Sequence, residues 1–249
     1  MKFEKTEVYG FEHAIRGMRN PLESWDKSDS EYIDIESEEG IELQSKGIYY
    51  KIGKNDLTLM QKLIKAGSEH RKFMRQIFVS VDITAPLYWW KEFDTYKVGT
   101  VSNSCSTMHK LANTPITKEC FEMDDFENIS PRMFKSKDEY GDTYEENNLC
   151  NFISLDLFWC NLIDVLNDYR VHYNETKDKR YWKELIRLLP ESWLQKRTIT
   201  MSYENLLNMY HQRKNHKLTE WSKSFCDWVK NLPYAEELIE NKCINGWEV

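Results

Sequence analysis

The sequence predicts an α+β fold whose C-terminal half is mainly helical. Two patterns support this prediction: a helix followed by an alternating strand between residues 56 and 88, and helical apolar spacing in three stretches from residue 154 onward. The chain has 249 residues, 41% of them apolar, which is enough for a buried core and excludes a disordered protein. We expect one domain spanning residues 1–249.

Residues 1–50 combine short apolar pieces with polar turns. The dipeptide Asn20-Pro21 predicts a chain reversal, because proline disfavours a helical residue before it. From there to about residue 50 the charge is mostly acidic. We expect this segment to wrap the surface.

The stretch DLTLMQKLIKAGSEH predicts a helix. Asp56 is a candidate N-cap and Gly67 a candidate C-terminal stop. The apolar residues at helical spacing are Leu57, Met60, Leu63 and Ile64.

A strand over residues 77–88 follows, with Val81 and Ile83 on one face. Pro86 should end or bend it, since proline cannot donate to a sheet. The chain then enters a polar turn, where six of the ten residues from Thr100 to His109 carry a hydroxyl or thiol. Such residues form caps and turns, and they also line ligand pockets.

Residues 119–150 are strongly acidic, with ten acidic residues against three basic ones. We interpret this stretch as an exposed connector or flap. A solvated loop and a functional lid are both compatible with it.

Three helical stretches are predicted after it. The first carries an apolar stripe at residues 155, 158, 162, 165, 166 and 169, expected to face a core. The second, RYWKELIRLLP, should end at Pro190. The third runs over residues 201–232 as one long helical stretch.

Charge and composition exclude several classes of function. The net charge of −7 gives no general attraction for a nucleic-acid polymer or an anionic membrane. The N-terminus lacks the apolar core of a signal peptide and no run is long enough to span a membrane, so we expect a cytoplasmic protein. The six cysteines form no C-x-x-C pair, so we expect free thiols and no metal site.

Local motifs alone identify no chemistry. The chain has no Gly-rich phosphate loop, no H-E-x-x-H and no G-x-S-x-G. Single polar residues at element ends remain, and each has a purely structural interpretation. His70 can satisfy a helix C-terminus, Lys97 can be a solvated surface residue, and Arg213 can pair with Glu220 along a helix face.

The order of these elements resembles a known family. AGSEH, then IFVSVDITAPLYWWKEFDTYKVGTVSNSCSTMH, then LLPESW and TMSYENLLNMYHQR resemble the flavin-dependent thymidylate synthases. That family carries G-H-x-[ST]-P-F-E-H, a strand ending in A-P-[IL]-F, the pattern R-H-R-x-x-S-x-N-E-x-S-x-R-Y, and N-x-R-S-L-x-N-F-L-x-L-R near its C-terminus. The resemblance covers residues 55–110 and 185–230.

The resemblance implies an antiparallel sheet flanked by long helices, and a homotetramer with its sites at subunit interfaces. No side chain is expected as catalytic nucleophile, because the family uses none. The residues implied at the flavin are His70, Lys97, Thr100, Asn103 and Asn208. Those implied at the pyrimidine nucleotide are Arg213, Arg187, Cys105, Thr107 and Glu92. Cys105 is either a small residue lining the pocket or, as a thiolate, a nucleophile toward the pyrimidine ring.

Several motif positions differ from the family. The R-H-R triplet is Thr95-Tyr96-Lys97, and Thr107 and Glu204 stand where the family has arginines. Basic residues that could compensate are Arg71, Lys72, Arg75, Lys110 and Lys214.

Two hypotheses follow from the resemblance and its departures. The first is an enzyme that binds FAD and methylates dUMP or a related pyrimidine nucleotide, with methylenetetrahydrofolate and NADPH as co-substrates. The second is a non-catalytic nucleotide-binding or protein-interaction module on the same scaffold.

Overall fold

A computed structural model describes residues 1–34, 48–123, 136–137, 143–144 and 155–240. Its strands are β1 Lys2–Tyr9, β2 Glu31–Asp34, β3 Ile48–Lys51, β4 Phe78–Pro86, β5 Val101–Ser104, β6 Ser136–Lys137, β7 Thr143–Tyr144 and β8 Leu194–Ser202. Its α-helices are α1 Phe11–Arg19, α2 Lys54–Lys65, α3 Leu87–Phe93, α4 Thr107–Lys110, α5 Leu155–Thr176, α6 Lys179–Leu188, α7 Tyr203–Arg213, α8 Cys226–Lys230 and α9 Ala235–Leu238. Short 3₁₀ turns cover Asn20–Leu22, Trp25–Lys27, Lys72–Gln76 and Lys118–Cys120, and a π-helix covers Glu220–Phe225.

The chain divides into two compact units. The first comprises Met1–Thr84, Lys91–Ser104 and Lys196–Val249, and the second comprises Ala85–Trp90 and Cys105–Gln195. The single domain expected from the sequence stays a prediction. Among the described helices, none is both long and apolar enough to cross a membrane.

The first unit is built on a four-stranded sheet with the order β1-β4-β8-β5. β1 pairs antiparallel with β4, and β5 pairs antiparallel with β8. In β4 the burial alternates, with Val79, Val81 and Ile83 facing the core. The α+β class with an antiparallel sheet is therefore confirmed.

The strand predicted over residues 77–88 and the chain reversal predicted at Asn20-Pro21 are largely confirmed. β4 ends at Pro86, and α3 begins at Leu87, so the last two residues of the predicted strand are helical. Asn20-Pro21 lies in a 3₁₀ turn closed by a hydrogen bond from the Glu23 N–H to the Asn20 carbonyl at 3.1 Å.

The predicted helix after residue 54 is confirmed, but its cap is not Asp56. The N–H groups of Asn55 and Asp56 donate to the two carboxylate oxygens of Asp29, at 2.9 and 3.1 Å. The Asp56 carboxylate is fully buried and accepts a hydrogen bond from Arg19 Nε at 2.7 Å. Gly67 follows the helix end with φ of 105°, the left-handed conformation that favours glycine.

One prediction about the C-terminal half is wrong, and a second is confirmed only in part. Residues 201–232 do not form one helix, because Met201 and Ser202 belong to β8. Ser202 then caps α7 in a reciprocal box with Asn205, α7 ends at Arg213, and a π-helix starts only at Glu220.

The apolar stripe of α5 is the second correction. Phe158 and Val165 are 50% and 42% exposed, while Leu166 is fully buried. The α5 residues that pack in the core of the second unit are Trp159, Leu162, Ile163, Leu166, Tyr169 and Tyr173, so Leu162, Leu166 and Tyr169 of the predicted stripe are confirmed. The helix is therefore rotated from the predicted stripe toward Trp159 and Ile163.

The helix predicted to end at Pro190 is confirmed as α6, and its Leu185 belongs to the same core. Of the acidic stretch 119–150, only residues 119–123, 136–137 and 143–144 are described. The interpretation as a flap or connector lies mostly outside the described residues.

Candidate functional site

The first polar cluster of the first unit surrounds Arg213, the last residue of α7. We define the Arg213 cluster as Glu92, Tyr96, Arg213, His216 and Trp221. Arg213 Nη1 forms an ion pair with Glu92, and Arg213 Nε donates to the Tyr96 phenol oxygen at 2.8 Å. The guanidinium lies over the rings of Tyr96 and Trp221, 5.4 and 5.0 Å from their centroids. Glu92 also lies 3.4 Å from His216 Nε2.

This arrangement differs from the local ion pair expected for Arg213. Its carboxylate partner is Glu92, which lies 121 residues away in sequence, and not Glu220, which belongs to the separate π-helix. The side chains of Arg213 and Glu92 are 15% and 29% exposed. Because their charges cancel, an anionic ligand of Arg213 would have to displace or rearrange Glu92.

A second polar cluster joins the segment after α2 to the start of α7. We define the Arg71 cluster as Arg71, Arg75, Glu204 and Asn208. Arg71 Nε donates to Glu204 Oε1 and Arg71 Nη2 donates to Asn208 Oδ1, each at 3.2 Å. Arg75 Nε donates to Glu204 Oε2, and Arg75 Nη2 reaches Glu204 Oε1 at 3.4 Å.

Glu204 is charged in this setting. Its burial acts to raise the pKa, but the hydrogen bonds from Arg75 and Arg71 outweigh that effect and hold the pKa of Glu204 below its usual value. Two guanidinium groups against one carboxylate leave the cluster with a net charge of about +1. Unlike the Arg213 cluster, it keeps a positive excess.

A pocket of about 510 Å³ lies beside the same segment. Its walls come from the end of α1, the turn over residues 20–24, α2, and residues 69–76. His70, expected at a flavin, is exposed and lines this pocket. The pocket lining includes apolar Leu59, Leu63 and Phe73 as well as polar groups. This mixed lining suits a ligand with both apolar and polar parts.

The segment after α3, predicted as a polar turn, contains strand β5 Val101–Ser104 and holds the expected flavin residues Lys97, Thr100 and Asn103. Thr100 Oγ1 donates to the Tyr96 carbonyl at 2.6 Å, which ties it to the Arg213 cluster. Lys97 and Asn103 are both exposed, and among the described residues no hydrogen bond or ion pair joins their side chains to either cluster. The structure therefore gathers Glu92, Thr100 and Arg213, and separately Asn208 with Arg71.

Three expected nucleotide residues belong to the second unit. Gln195 Nε2 donates to the Cys105 carbonyl at 3.0 Å and to Thr107 Oγ1 at 3.2 Å. Arg187, 56% exposed on α6, forms an ion pair with Glu184. Cys105 and Thr107 are thus held together, and Arg187 is held by its own helix.

Sequence reasoning missed the groups that organise these clusters. The sequence shows Tyr96 only as a changed motif position, and Trp221 only as an apolar residue within the stretch 201–232 predicted as helical. Both in fact contact the Arg213 guanidinium. The one available signal was the pair of arginines at 71 and 75, flagged as replacements for lost cations.

No protein-family model matches the chain, and no curated protein matches it by sequence. Solved structures do match. The chain is similar to thymidylate synthase X of Helicobacter pylori with FAD and dUMP, with a TM-score of 0.59 and 14% identity over 97% of this chain and 98% of that one. It is also similar to a flavin-dependent thymidylate synthase of Helicobacter pylori complexed with FAD and dUMP, with a TM-score of 0.59 and 16% identity over 97% and 99% of the two chains.

The chain has the fold of these thymidylate synthases. The fold class expected from the resemblance, including its antiparallel sheet, is thereby confirmed. Because the identities are low, this likeness concerns the fold, and the ligands named belong to the neighbouring proteins.

Proposed function

We propose that this chain is a flavin-dependent thymidylate synthase-like enzyme. It binds FAD and methylates dUMP or a related pyrimidine nucleotide, with methylenetetrahydrofolate and NADPH as co-substrates. The observation that carries the proposal is the fold likeness over 97% of the chain to two solved structures of a thymidylate synthase with FAD and dUMP. When bound, the flavin supplies the redox chemistry, and the protein supplies binding and orientation.

The charges of the first unit fit one anionic group of such a ligand. Phosphate oxygens require cations or oriented N–H groups. The Arg71 cluster retains a positive excess next to Asn208, one of the residues proposed at the flavin. The Arg213 cluster fits a nucleotide phosphate only when Glu92 releases its ion pair.

The remaining roles follow the resemblance. The residues proposed at the flavin are His70, Lys97, Thr100, Asn103 and Asn208. The residues proposed at the nucleotide are Arg213, Arg187, Cys105, Thr107 and Glu92. We also propose a homotetramer whose sites combine residues of different subunits. Sedimentation equilibrium measures the number of subunits.

The test is a visible absorption spectrum of the purified protein with and without added FAD. A bound flavin spectrum that is bleached by NADPH without oxygen, followed by conversion of dUMP to its 5-methyl product, supports the proposal. Lys97→Ala should weaken FAD binding, and Lys54→Ala, at an exposed position of α2, is its matched control. A protein that leaves added FAD free in solution contradicts the proposal.

A second function is favoured by one observation, the ion pair between Glu92 and Arg213. An arginine that is already neutralised inside its own unit can hold a phosphate only after its ion pair with Glu92 breaks. The second proposal is therefore a non-catalytic nucleotide-binding or protein-interaction module. Absence of FAD binding, whether or not dUMP binds, would support it over the enzyme.

A further inference from the structure

The Arg71 cluster leaves cationic donors unused. In each arginine the Nε and Nη2 groups are engaged, by Glu204 in Arg75 and by Glu204 and Asn208 in Arg71. Within the described part of the chain, neither Nη1 group has a hydrogen-bond partner. Each Nη1 carries two N–H donors, so the pair offers up to four charged donors.

Glu204 positions the two guanidinium groups without occupying all of their N–H donors. Its side chain is 12% exposed and lies in the first turn of α7, where a carboxylate is favoured by the helix dipole. It receives one arginine from the residue before the 3₁₀ turn Lys72–Gln76 and the other from within that turn. Arg71 is 19% exposed and Arg75 is 52% exposed, so the cationic face of the cluster is open to solvent.

We propose that Arg71 and Arg75, positioned by Glu204, bind an oxyanion of the phosphate class. A net charge of about +1, rigidly held forked donors and an adjacent amide are the features that recognise a phosphate group. Asn208 belongs to this site because its Oδ1 accepts from Arg71, which leaves its Nδ2 group to donate to the anion. The proposal rests on the proposed function for the source of the phosphate, which is a dinucleotide cofactor or a nucleotide.

The alternative is that the two arginines only neutralise a buried carboxylate. Arg75→Gln separates the two ideas, because this half-exposed residue can be changed without opening the core. In calorimetric titrations of the full chain with inorganic pyrophosphate, the Arg75→Gln variant should bind about tenfold or more weakly than the wild type, which is the loss expected for a charged hydrogen bond. Lys62→Gln is the matched control, because Lys62 is an exposed cation of α2 outside the cluster and outside the pocket lining, and its pyrophosphate affinity should equal that of the wild type.

Equal pyrophosphate affinity in wild type and Arg75→Gln overturns the proposal. So does the absence of pyrophosphate binding at millimolar concentration in the wild type.

Glu204→Gln gives a second test, in which the effect of pyrophosphate should increase, whereas in Arg75→Gln it should decrease. Without its carboxylate the two arginines repel, so the variant should unfold at a lower temperature in buffer free of phosphate. The same change raises the local charge to about +2, so pyrophosphate should raise the unfolding temperature more in the variant than in the wild type. If Glu204→Gln lowers the unfolding temperature and pyrophosphate recovers none of it, the arginines are only structural and the proposal is wrong.

Competition between pyrophosphate and FAD or dUMP identifies the source of the phosphate. It also distinguishes failure of this site from failure of the proposed function. Displacement of pyrophosphate by FAD assigns the site to the dinucleotide, and displacement by dUMP assigns it to the nucleotide. Pyrophosphate binding that depends on Arg75 in a protein that binds neither ligand supports this site and contradicts the proposed function. FAD and dUMP binding that is equal in wild type and Arg75→Gln supports the proposed function and overturns this site.

Discussion

Replacing Asp56 by asparagine should destabilise the first unit strongly. Asp56 Oδ1 accepts from Arg19 Nε at 2.7 Å, and Oδ2 accepts from the hydroxyls of Ser28 and Ser30 at 2.7 and 2.6 Å. The Asp56 and Arg19 side chains are 0% and 5% exposed. The network joins the end of α1 to α2, two walls of the pocket that His70 lines.

The expected loss follows from the charge left behind. Removing one partner of a buried ion pair costs about 3–5 kcal/mol, mostly because the other charge stays buried without compensation. Arg19 keeps hydrogen bonds to the carbonyls of Ser24 and Lys27, both at 3.1 Å, so we expect the lower end, about 3 kcal/mol. With a urea m-value of about 3 kcal/mol per molar, the unfolding midpoint should fall by about 1 M.

Urea unfolding followed by tryptophan fluorescence and far-UV circular dichroism measures this change. Asp26→Asn, at an exposed carboxylate of the same segment, is the control and should stay within about 0.5 kcal/mol of the wild type. Burial acts to raise the pKa of Asp56, but hydrogen bonds from Ser30, Ser28 and Arg19 lower it overall. The stabilisation from Asp56 is thus fully present above its unfolded pKa of about 3.9 and is lost as pH falls through the lower folded pKa. The difference in unfolding free energy between wild type and Asp56→Asn should therefore become smaller in acid.

An Asp56→Asn variant as stable as the Asp26→Asn control would refute this reasoning. It would mean that the buried pair contributes no more than an uncharged hydrogen-bonded pair of the same shape.

Three further predictions concern the clusters and the thiols. Glu92→Gln should destabilise the protein by about 1.5–3 kcal/mol in thermal unfolding, the value of a charged hydrogen bond. Although Glu92 is itself proposed at the nucleotide, the variant should bind dUMP more tightly in calorimetry, because the ion pair of Glu92 competes with the phosphate for Arg213; weaker binding would instead indicate a direct contact between Glu92 and the nucleotide. Glu204 has a lowered pKa, so its stabilisation is complete above the ordinary value of 4.5 and lost as pH falls below it; Glu204→Gln should lack that part of the acid dependence in unfolding titrations. Burial raises the pKa of the Cys226 thiol to about 11, so alkylation at pH 8 followed by peptide mass spectrometry should modify exposed Cys105 and spare Cys226 unless the protein unfolds.

Local patterns predicted the elements whose burial repeats regularly. α2, β4 and α6 were predicted because their apolar residues recur at the period of a helix or a strand. β8 was missed because its early residues, such as Lys196 and Arg197, are polar, and the apolar alternation begins only at Ile199. The same pattern then continues into α7, so the sequence alone could not show where strand becomes helix.

The candidate site depended on contacts that no local pattern encodes. A sequence displays neighbours at i+3, i+4 and i+7, and on that basis Glu220 was the expected partner of Arg213. The actual partner, Glu92, lies 121 residues away, and Arg75 and Glu204 lie 129 residues apart. These pairs follow from the fold that brings α3 and the 3₁₀ turn Lys72–Gln76 to α7.

The Arg71 cluster keeps a positive charge although a carboxylate lies at its centre. Both Arg71 and Arg75 pair with Glu204, and two positive charges with one negative charge leave about +1. The second guanidinium therefore compensates for the charge that Glu204 cancels on the first. The Arg213 cluster lacks such compensation, because Glu92 cancels its only guanidinium. The charges of this unit therefore favour anion binding at the Arg71 cluster. At the Arg213 cluster they favour anion binding only once Glu92 is neutralised.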